Sequence, residues 1–139
     1  MAHVGPIIQV GQRGIGSARD GDVQDAQDWG VVFVPAGEVA REGVWRAVDL
    51  IAKGAEVIIC LDVDALDPGV MPAVIGRTAG GLSYWQVLEL IGAVAEKARI
   101  AAFGMVELMP SRDIDGQGAL LAAQLLASVL GVIGRQRAR

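Results

Sequence analysis

The chain has 139 residues, a length that corresponds to one domain with a sizeable hydrophobic core. Twelve basic and sixteen acidic residues give a formal net charge of −4, which argues against nucleic acid as a partner because phosphate binding needs a basic face. The single cysteine excludes an internal disulfide, and no signal-peptide pattern is visible, which predicts a cytoplasmic protein.

Apolar runs alternate with helical patterns along the whole chain, which predicts one α/β domain over residues 1–139 with a mostly parallel sheet. The expected strands are residues 6–12, 31–35, 56–61 and 99–106, and the expected helices are residues 39–53, 83–97 and 118–133. Ser83 and Gln86 fit a capping box at the start of the second helix.

Two further segments have a structural interpretation. Residues 118–134 are uncharged and reach the short limit for a membrane span, but Gln124 and Ser128 share one helical face, so we expect a buried or interface helix and no membrane association. The acidic residues between positions 16 and 30 have spacings that suit an exposed helical face better than a metal-ligand set. They are Asp20, Asp22, Asp25 and Asp28.

The most informative stretch is Cys60-Leu-Asp62-Val-Asp64-Ala-Leu-Asp67-Pro68, which follows an apolar run directly. Side chains at positions i and i+2 share one face of a strand, so Asp62 and Asp64 are expected to point into one cleft. A hard divalent cation such as Mn²⁺ or Mg²⁺ would remove the repulsion between them, which predicts a metal site. Capping of a turn is the alternative. Cys60 lies on the same face, and we expect it to be a small buried residue.

The loop that follows has a structural interpretation. Pro68 bars the helical region for the residue before it, so Asp67 is expected to brace the loop through its own backbone rather than to bind metal. Gly80 and Gly81 fall in the same loop, just before the helix that begins at Ser83.

Glu107 follows the strand at residues 99–106. One helix joins this strand to the strand that carries Asp62, so a right-handed crossover should make the two strands neighbours, about 4.8 Å apart. Ligand sites of open parallel sheets lie at the carboxyl ends of the strands, which places Glu107 beside Asp62 and Asp64. A helix-capping or surface glutamate is the alternative.

Three motifs in this order resemble the second half of the agmatinase and arginase family of ureohydrolases. They are Asp62-x-Asp64-x-x-Asp67-Pro68-x-x-x-Pro72, Gly80-Gly81-Leu82 and Val106-Glu107-x-x-Pro110. The resemblance runs from about residue 9 to residue 134. It implies a three-layer α/β/α architecture with a mostly parallel sheet, and manganese-dependent hydrolysis of a guanidino compound to urea and an amine.

The resemblance also implies roles for particular residues. Asp62 and Asp64 would bind manganese, two ions in the complete family site, and Glu107 would hold the guanidinium group of a small substrate such as agmatine or a guanidino acid. The other metal ligands and the catalytic histidine of the family have no counterpart, because the only histidine, His3, lies outside any matching motif. We therefore expect a missing N-terminal half and little or no activity from the isolated chain.

One departure from the family pattern concerns substrate choice. After Pro72 the family commonly reads Gly-Thr-Gly-Thr-Pro, whereas residues 73–77 here read Ala-Val-Ile-Gly-Arg. An arginine there would disfavour a doubly cationic substrate, so we expect Arg77 to pair with a substrate carboxylate. An exposed loop arginine is the alternative.

Two other functions are compatible with the sequence. The chain could be a non-catalytic remnant or oligomerisation module of the same fold, and family members are commonly oligomers, so a homo-oligomer is expected. A small metal-dependent phosphatase also begins with Asp-x-Asp after an apolar strand, but the hydroxyl residue expected shortly after that motif is missing here.

Overall fold

A computed structural model describes residues 5–15 and 18–138, so His3 lies outside the described residues. The strands are β1 (Ile8–Val10), β2 (Val32–Val34), β3 (Glu56–Asp62) and β4 (Arg99–Val106). The helices are α1 (Asp22–Asp28), α2 (Ala36–Glu42), α3 (Trp45–Asp49), α4 (Tyr84–Lys97) and α5 (Gln117–Arg137). Short 3₁₀ turns at Val63–Ala65 and Pro110–Arg112 follow β3 and β4. The predicted α/β class is confirmed.

Strand pairing is parallel throughout the described residues. β1 pairs with β2, and β3 pairs with β4, in two separate two-stranded sheets. Asp62 at the end of β3 lies opposite Val106 at the end of β4. The crossover from β3 to β4 runs through α4. The pairing of β3 with β4 confirms the prediction that these two strands are neighbours.

The capping box that opens α4 is confirmed. The Ser83 hydroxyl accepts a hydrogen bond from the Gln86 backbone N–H at 3.2 Å, and the Gln86 side chain accepts one from the Ser83 backbone N–H at 2.9 Å. Two of the N–H groups at this helix end are therefore satisfied locally. The sequence alone was sufficient to place this helix start.

The predicted single helix over residues 39–53 is wrong, because the chain forms α2 and α3 instead. Gly43 has a φ of 79°, a left-handed conformation that ends α2. Val44, the next residue, is fully buried and is the N-cap of α3. By contrast, the acidic segment does form a short helix, α1, whose residues are mostly exposed, as its spacing predicted.

Helix α5 packs one face on the core and leaves another exposed. Its buried positions are Gly118, Ala122, Leu125 and Val129. Its exposed large side chains are Leu120, Leu126 and Leu130. By length and composition this helix could cross a membrane, but it has a face that packs within the domain, which agrees with the predicted buried or interface helix.

The two faces of β3 differ in burial. Leu61 is buried and Val57 and Ile59 pack against the core, whereas Ile58, on the opposite face, is 76% exposed. Cys60 shares the exposed face, so the expectation that it is buried is wrong. The packing of a strand face depends on what covers it, and the described helices leave this face open.

Candidate metal and substrate site

Asp62 and Asp64 lie at the carboxyl end of β3. Asp62 is the last residue of the strand and is exposed, and Asp64 follows in the 3₁₀ turn with intermediate burial. The Cys60 Sγ lies 3.6 Å from Asp62 Oδ1. Partial desolvation, together with the neighbouring Asp62 carboxylate, raises the pKa of the Cys60 thiol, which therefore acts as a weak donor and not as a thiolate.

Glu107 begins the loop after β4. Because Val106 lies opposite Asp62, Glu107 leaves the same edge of the sheet. Its φ is 65°, a left-handed conformation that is unusual for a long side chain and that costs backbone energy. The residue is exposed, and no ion pair among the described residues uses its carboxylate. Strained backbone of this kind is frequent at ligand-binding sites.

The Asp67 carboxylate holds the loop between β3 and α4 at both of its ends. It accepts hydrogen bonds from the backbone N–H groups of Gly69 at 2.9 Å, Gly80 at 2.8 Å and Gly81 at 3.3 Å. These bonds to the ionised form lower the pKa of Asp67. The Asp67 carboxylate is therefore occupied by hydrogen bonds from backbone N–H groups of its own loop.

Gly81 allows the closest approach within this loop. A Cβ atom at Gly81 would lie 2.5 Å from the Asp67 backbone nitrogen and 2.6 Å from the Leu66 carbonyl oxygen. The Asp67 N–H donates to the Leu82 carbonyl at 3.0 Å, and the Leu82 N–H donates to the Ala65 carbonyl at 2.9 Å. This short parallel bridge fixes the turn that carries Asp64.

Arg77 lies in the segment that follows Pro72. Its Nε donates to the Pro72 carbonyl at 2.8 Å, and its Nη2 donates to the Arg112 carbonyl at 2.6 Å. The Met109 N–H donates to the Ala73 carbonyl at 2.7 Å. The loop after β3 is thereby tied to the loop after β4, immediately beyond Glu107. The substrate-binding role of Arg77 remains a prediction, with two of its three guanidinium nitrogens already used by backbone carbonyls.

Two residues that support the edge of the sheet at the carboxyl ends of β3 and β4 were not predicted from the sequence. Asp113 accepts hydrogen bonds from the backbone N–H groups of Gly118 at 2.7 Å, Ile114 at 2.8 Å and Ala119 at 2.9 Å. These bonds lower the pKa of Asp113 and satisfy N–H groups at the start of α5. The aspartate in front of a long apolar helix was a usable signal, but its spacing from the first turn is longer than that of an ordinary N-cap.

The second missed residue is Arg13, in the turn after β1. Its guanidinium donates to the carbonyl of Asp64 at 2.8 Å and to the carbonyl of Thr78 at 2.7 Å. No local sequence pattern predicts this contact, because the two carbonyl partners are 51 and 65 positions away from Arg13.

Asp62 and Asp64 fit a hard divalent cation in donor type, since both offer carboxylate oxygens. Their number is smaller than a complete protein site requires. Within residues 5–15 and 18–138, no three His, Cys, Asp or Glu residues come together as a metal-binding group. The pair can therefore supply part of a coordination shell.

Comparisons with known proteins agree with this geometry. The sequence model of the arginase family matches residues 2–131. An N(1)-aminopropylagmatine ureohydrolase of Thermus thermophilus is 39% identical over 132 residues, which are 94% of this chain and 43% of the relative.

Solved structures give the same result. The agmatine ureohydrolase of Thermoplasma volcanium superposes with a TM-score of 0.78 at 29% identity, over 92% of this chain and 42% of that one. The proclavaminate amidino hydrolase of Streptomyces clavuligerus superposes with a TM-score of 0.79 at 29% identity, over 93% and 42%. The chain spans about two fifths of the length of the proteins it matches.

Proposed function

Because the chain belongs to the arginase family, we propose that it carries part of the metal site and the substrate contact of a manganese-dependent hydrolase. The reaction would cleave a C–N bond of a guanidino compound and give urea and an amine. The observation that supports this most strongly is the pairing of Asp62 with Val106, because it brings the carboxylate-bearing residues Asp62 and Asp64 and Glu107 to one edge of the sheet.

Each acidic residue has a distinct task in this proposal. Asp62 and Asp64 would hold manganese with their carboxylate oxygens. When bound, the metal would lower the pKa of a water molecule and stabilise the negative charge on the oxygen that attacks the guanidino carbon. Glu107 accepts hydrogen bonds from the substrate guanidinium, whose planar N–H groups match a carboxylate in a bidentate pair. Its left-handed backbone lies directly after the last residue of β4.

The rest of the site would come from residues that this chain does not contain. Its relatives are more than twice as long, and the family's histidine ligands have no counterpart here. We therefore expect the 139-residue chain alone to bind manganese weakly and to release little or no urea. In the cell we expect a cytoplasmic protein in which this segment is joined to the missing part or associates as an oligomer.

Arg77 would set the choice of substrate. Its free nitrogen, Nη1, lies on an exposed side chain whose other nitrogens are fixed by Pro72 and Arg112. A cation held in this way against the loop that follows Glu107 would favour a substrate with a carboxylate at the end opposite the guanidinium. A guanidino acid is therefore the proposed substrate class, in preference to agmatine.

A second candidate is a non-catalytic module that keeps the fold. The open face of β3 and the exposed leucines of α5 favour it, since a surface of this kind suits association. The same surface is also what an arginase-family fragment would expose, so this observation alone does not favour the module over the enzyme.

The native polypeptide separates the two candidates. An antibody raised against residues 83–110 would isolate the protein from its source cells, and its mass and its manganese-dependent urea release would be measured together. The enzyme is expected to show a mass more than twice the 14.5 kDa of this chain and to release urea from a guanidino acid. A native mass of 14.5 kDa with no urea release would contradict the proposal and leave the module.

A further inference from the structure

One side chain links the turn after β1 to the loop that carries Asp64. Arg13 Nη2 donates to the carbonyl oxygens of Asp64 at 2.8 Å, Leu66 at 3.1 Å and Thr78 at 2.7 Å. Arg13 Nε donates to Thr78 again at 3.2 Å. The guanidinium therefore gathers three carbonyl oxygens from two parts of the loop between β3 and α4.

The backbone around Arg13 is itself closely packed against this loop. Gly11 is buried, and a Cβ atom there would lie 3.4 Å from the Leu82 side chain. A Cβ atom at Gly14, where φ is 76°, would lie 2.6 Å from the Thr78 side chain. The Gly11 N–H donates to the Val34 carbonyl at 2.9 Å, which anchors the turn to β2. Arg13 thus starts from a fixed position.

The chemistry of these contacts requires an arginine. Three carbonyl oxygens that point into one region repel one another, and a permanent cation with several N–H donors removes that repulsion. The guanidinium presents its donors in a rigid plane, whereas a lysine ammonium is a single point on a flexible stem. A lysine can keep the charge but cannot span the carbonyls of Asp64 and Thr78 in the same way.

We propose that Arg13 is a positioning residue, which fixes the backbone of Asp64 and so sets its carboxylate beside Asp62. Arg13 reaches this edge from the other two-stranded sheet, through backbone carbonyls. Its guanidinium donates to backbone oxygens, so it acts on Asp64 without bonding to the Asp64 carboxylate. The metal part of this inference rests on the proposed function, whereas the backbone part does not.

The test compares Arg13→Ala and Arg13→Lys with the unaltered 139-residue chain by amide hydrogen exchange. In both variants the amides of Leu66, Asp67 and Leu82 are expected to exchange at least tenfold faster. Amides of the paired strands β3 and β4 are expected to change less than threefold. Arg99→Ala is the matched control, because Arg99 pairs with Glu56 at the opposite end of the sheet and should leave all of these rates unchanged.

A second readout concerns manganese directly. The measured quantity is the Mn²⁺ concentration that halves the intensity of the amide signals of Asp62 and Asp64. Relative to the unaltered chain, this concentration is expected to rise at least tenfold in Arg13→Ala and to stay constant in Arg99→Ala. Uniform acceleration of exchange over the whole chain, or recovery of wild-type rates in Arg13→Lys, would overturn the positioning role. If the unaltered chain showed no such broadening even at the highest Mn²⁺ concentration, the assignment of Asp62 and Asp64 as manganese ligands would fail, and the exchange rates would still decide whether Arg13 fixes the loop.

Discussion

Asp62 lies opposite Val106 in the parallel pairing of β3 with β4, so the loops that carry Asp64 and Glu107 leave the sheet side by side. The site is therefore set by strand register and by the loops that follow the two strands. A substitution in one of these loops should therefore affect stability or substrate preference differently from the same or a similar substitution elsewhere in the chain.

Glu107→Gly should stabilise the chain or leave its stability unchanged. A non-glycine residue at a φ of 65° carries a cost of about 1–2 kcal/mol, which glycine removes, although glycine also makes the unfolded chain more flexible. We expect the free energy of unfolding, measured with urea, to rise by up to about 1 kcal/mol.

The control for Glu107→Gly is Glu89→Gly, at an exposed position inside α4. Here the same substitution should lower the free energy of unfolding by about 1 kcal/mol. If both variants were destabilised equally, the left-handed backbone at Glu107 would not be a stored strain.

Gly81→Ala should destabilise the chain. Its new Cβ would meet the backbone of Leu66 and Asp67, which cannot move without breaking the bridge to Leu82. We expect a loss of about 1–3 kcal/mol in the free energy of unfolding.

Gly92→Ala, inside α4 with open space around it, is the control for Gly81→Ala and should raise the free energy of unfolding by about 0.5–1 kcal/mol. If the Gly81→Ala variant were as stable as the unaltered chain, the loop would have space for a Cβ atom at position 81, which would contradict the close backbone contacts at Gly81.

Acid should weaken the fold through Asp67 and Asp113. Backbone N–H groups hold the pKa of each carboxyl below its unfolded value of about 3.9. A lowered folded pKa means that the stabilisation is fully present above about pH 4 and is lost as the pH falls through the folded pKa. Asp67→Asn and Asp113→Asn should each be less stable at neutral pH and lose less stability below about pH 4. Urea midpoints measured from about pH 6 to about pH 2.5 check this, and curves parallel to that of the unaltered chain would contradict it.

Arg77→Ala in the native full-length protein should change substrate preference. Removing the cation is expected to raise the activity on agmatine relative to that on guanidinobutyrate by at least tenfold, measured as the ratio of kcat/KM values. Arg112→Ala is the control, because Arg112 contacts the Ile75 carbonyl in the same pair of loops but is not proposed to meet substrate. An equal change in both variants would assign Arg77 to loop structure alone.

The sequence was most informative where the signals are local. β4 has the predicted bounds, and α4 begins at the predicted capping box. The prediction of one helix over residues 39–53 was wrong because Gly43, a single residue in a left-handed conformation, interrupts an otherwise helical pattern. A glycine inside a helix is common enough that its position alone does not predict a break.

The remaining features depend on contacts between distant segments. Arg13 binds carbonyls more than fifty positions away, and backbone acceptors leave no trace in the amino-acid pattern. Cys60 was expected to be buried because cysteine usually behaves as a small buried residue, but it occupies the exposed face of β3. Whether that face is covered depends on the residues that pack against it.

The most direct test of the account is to map where manganese binds on the isotope-labelled 139-residue chain by paramagnetic broadening. We expect the amides of residues 62–64 and 107–109 to broaden at the lowest Mn²⁺ concentration. The double variant with Asp62→Asn and Asp64→Asn should abolish this effect. Broadening that begins at the acidic helix α1, or that is the same in the double variant, would contradict the assignment of this edge as a metal site.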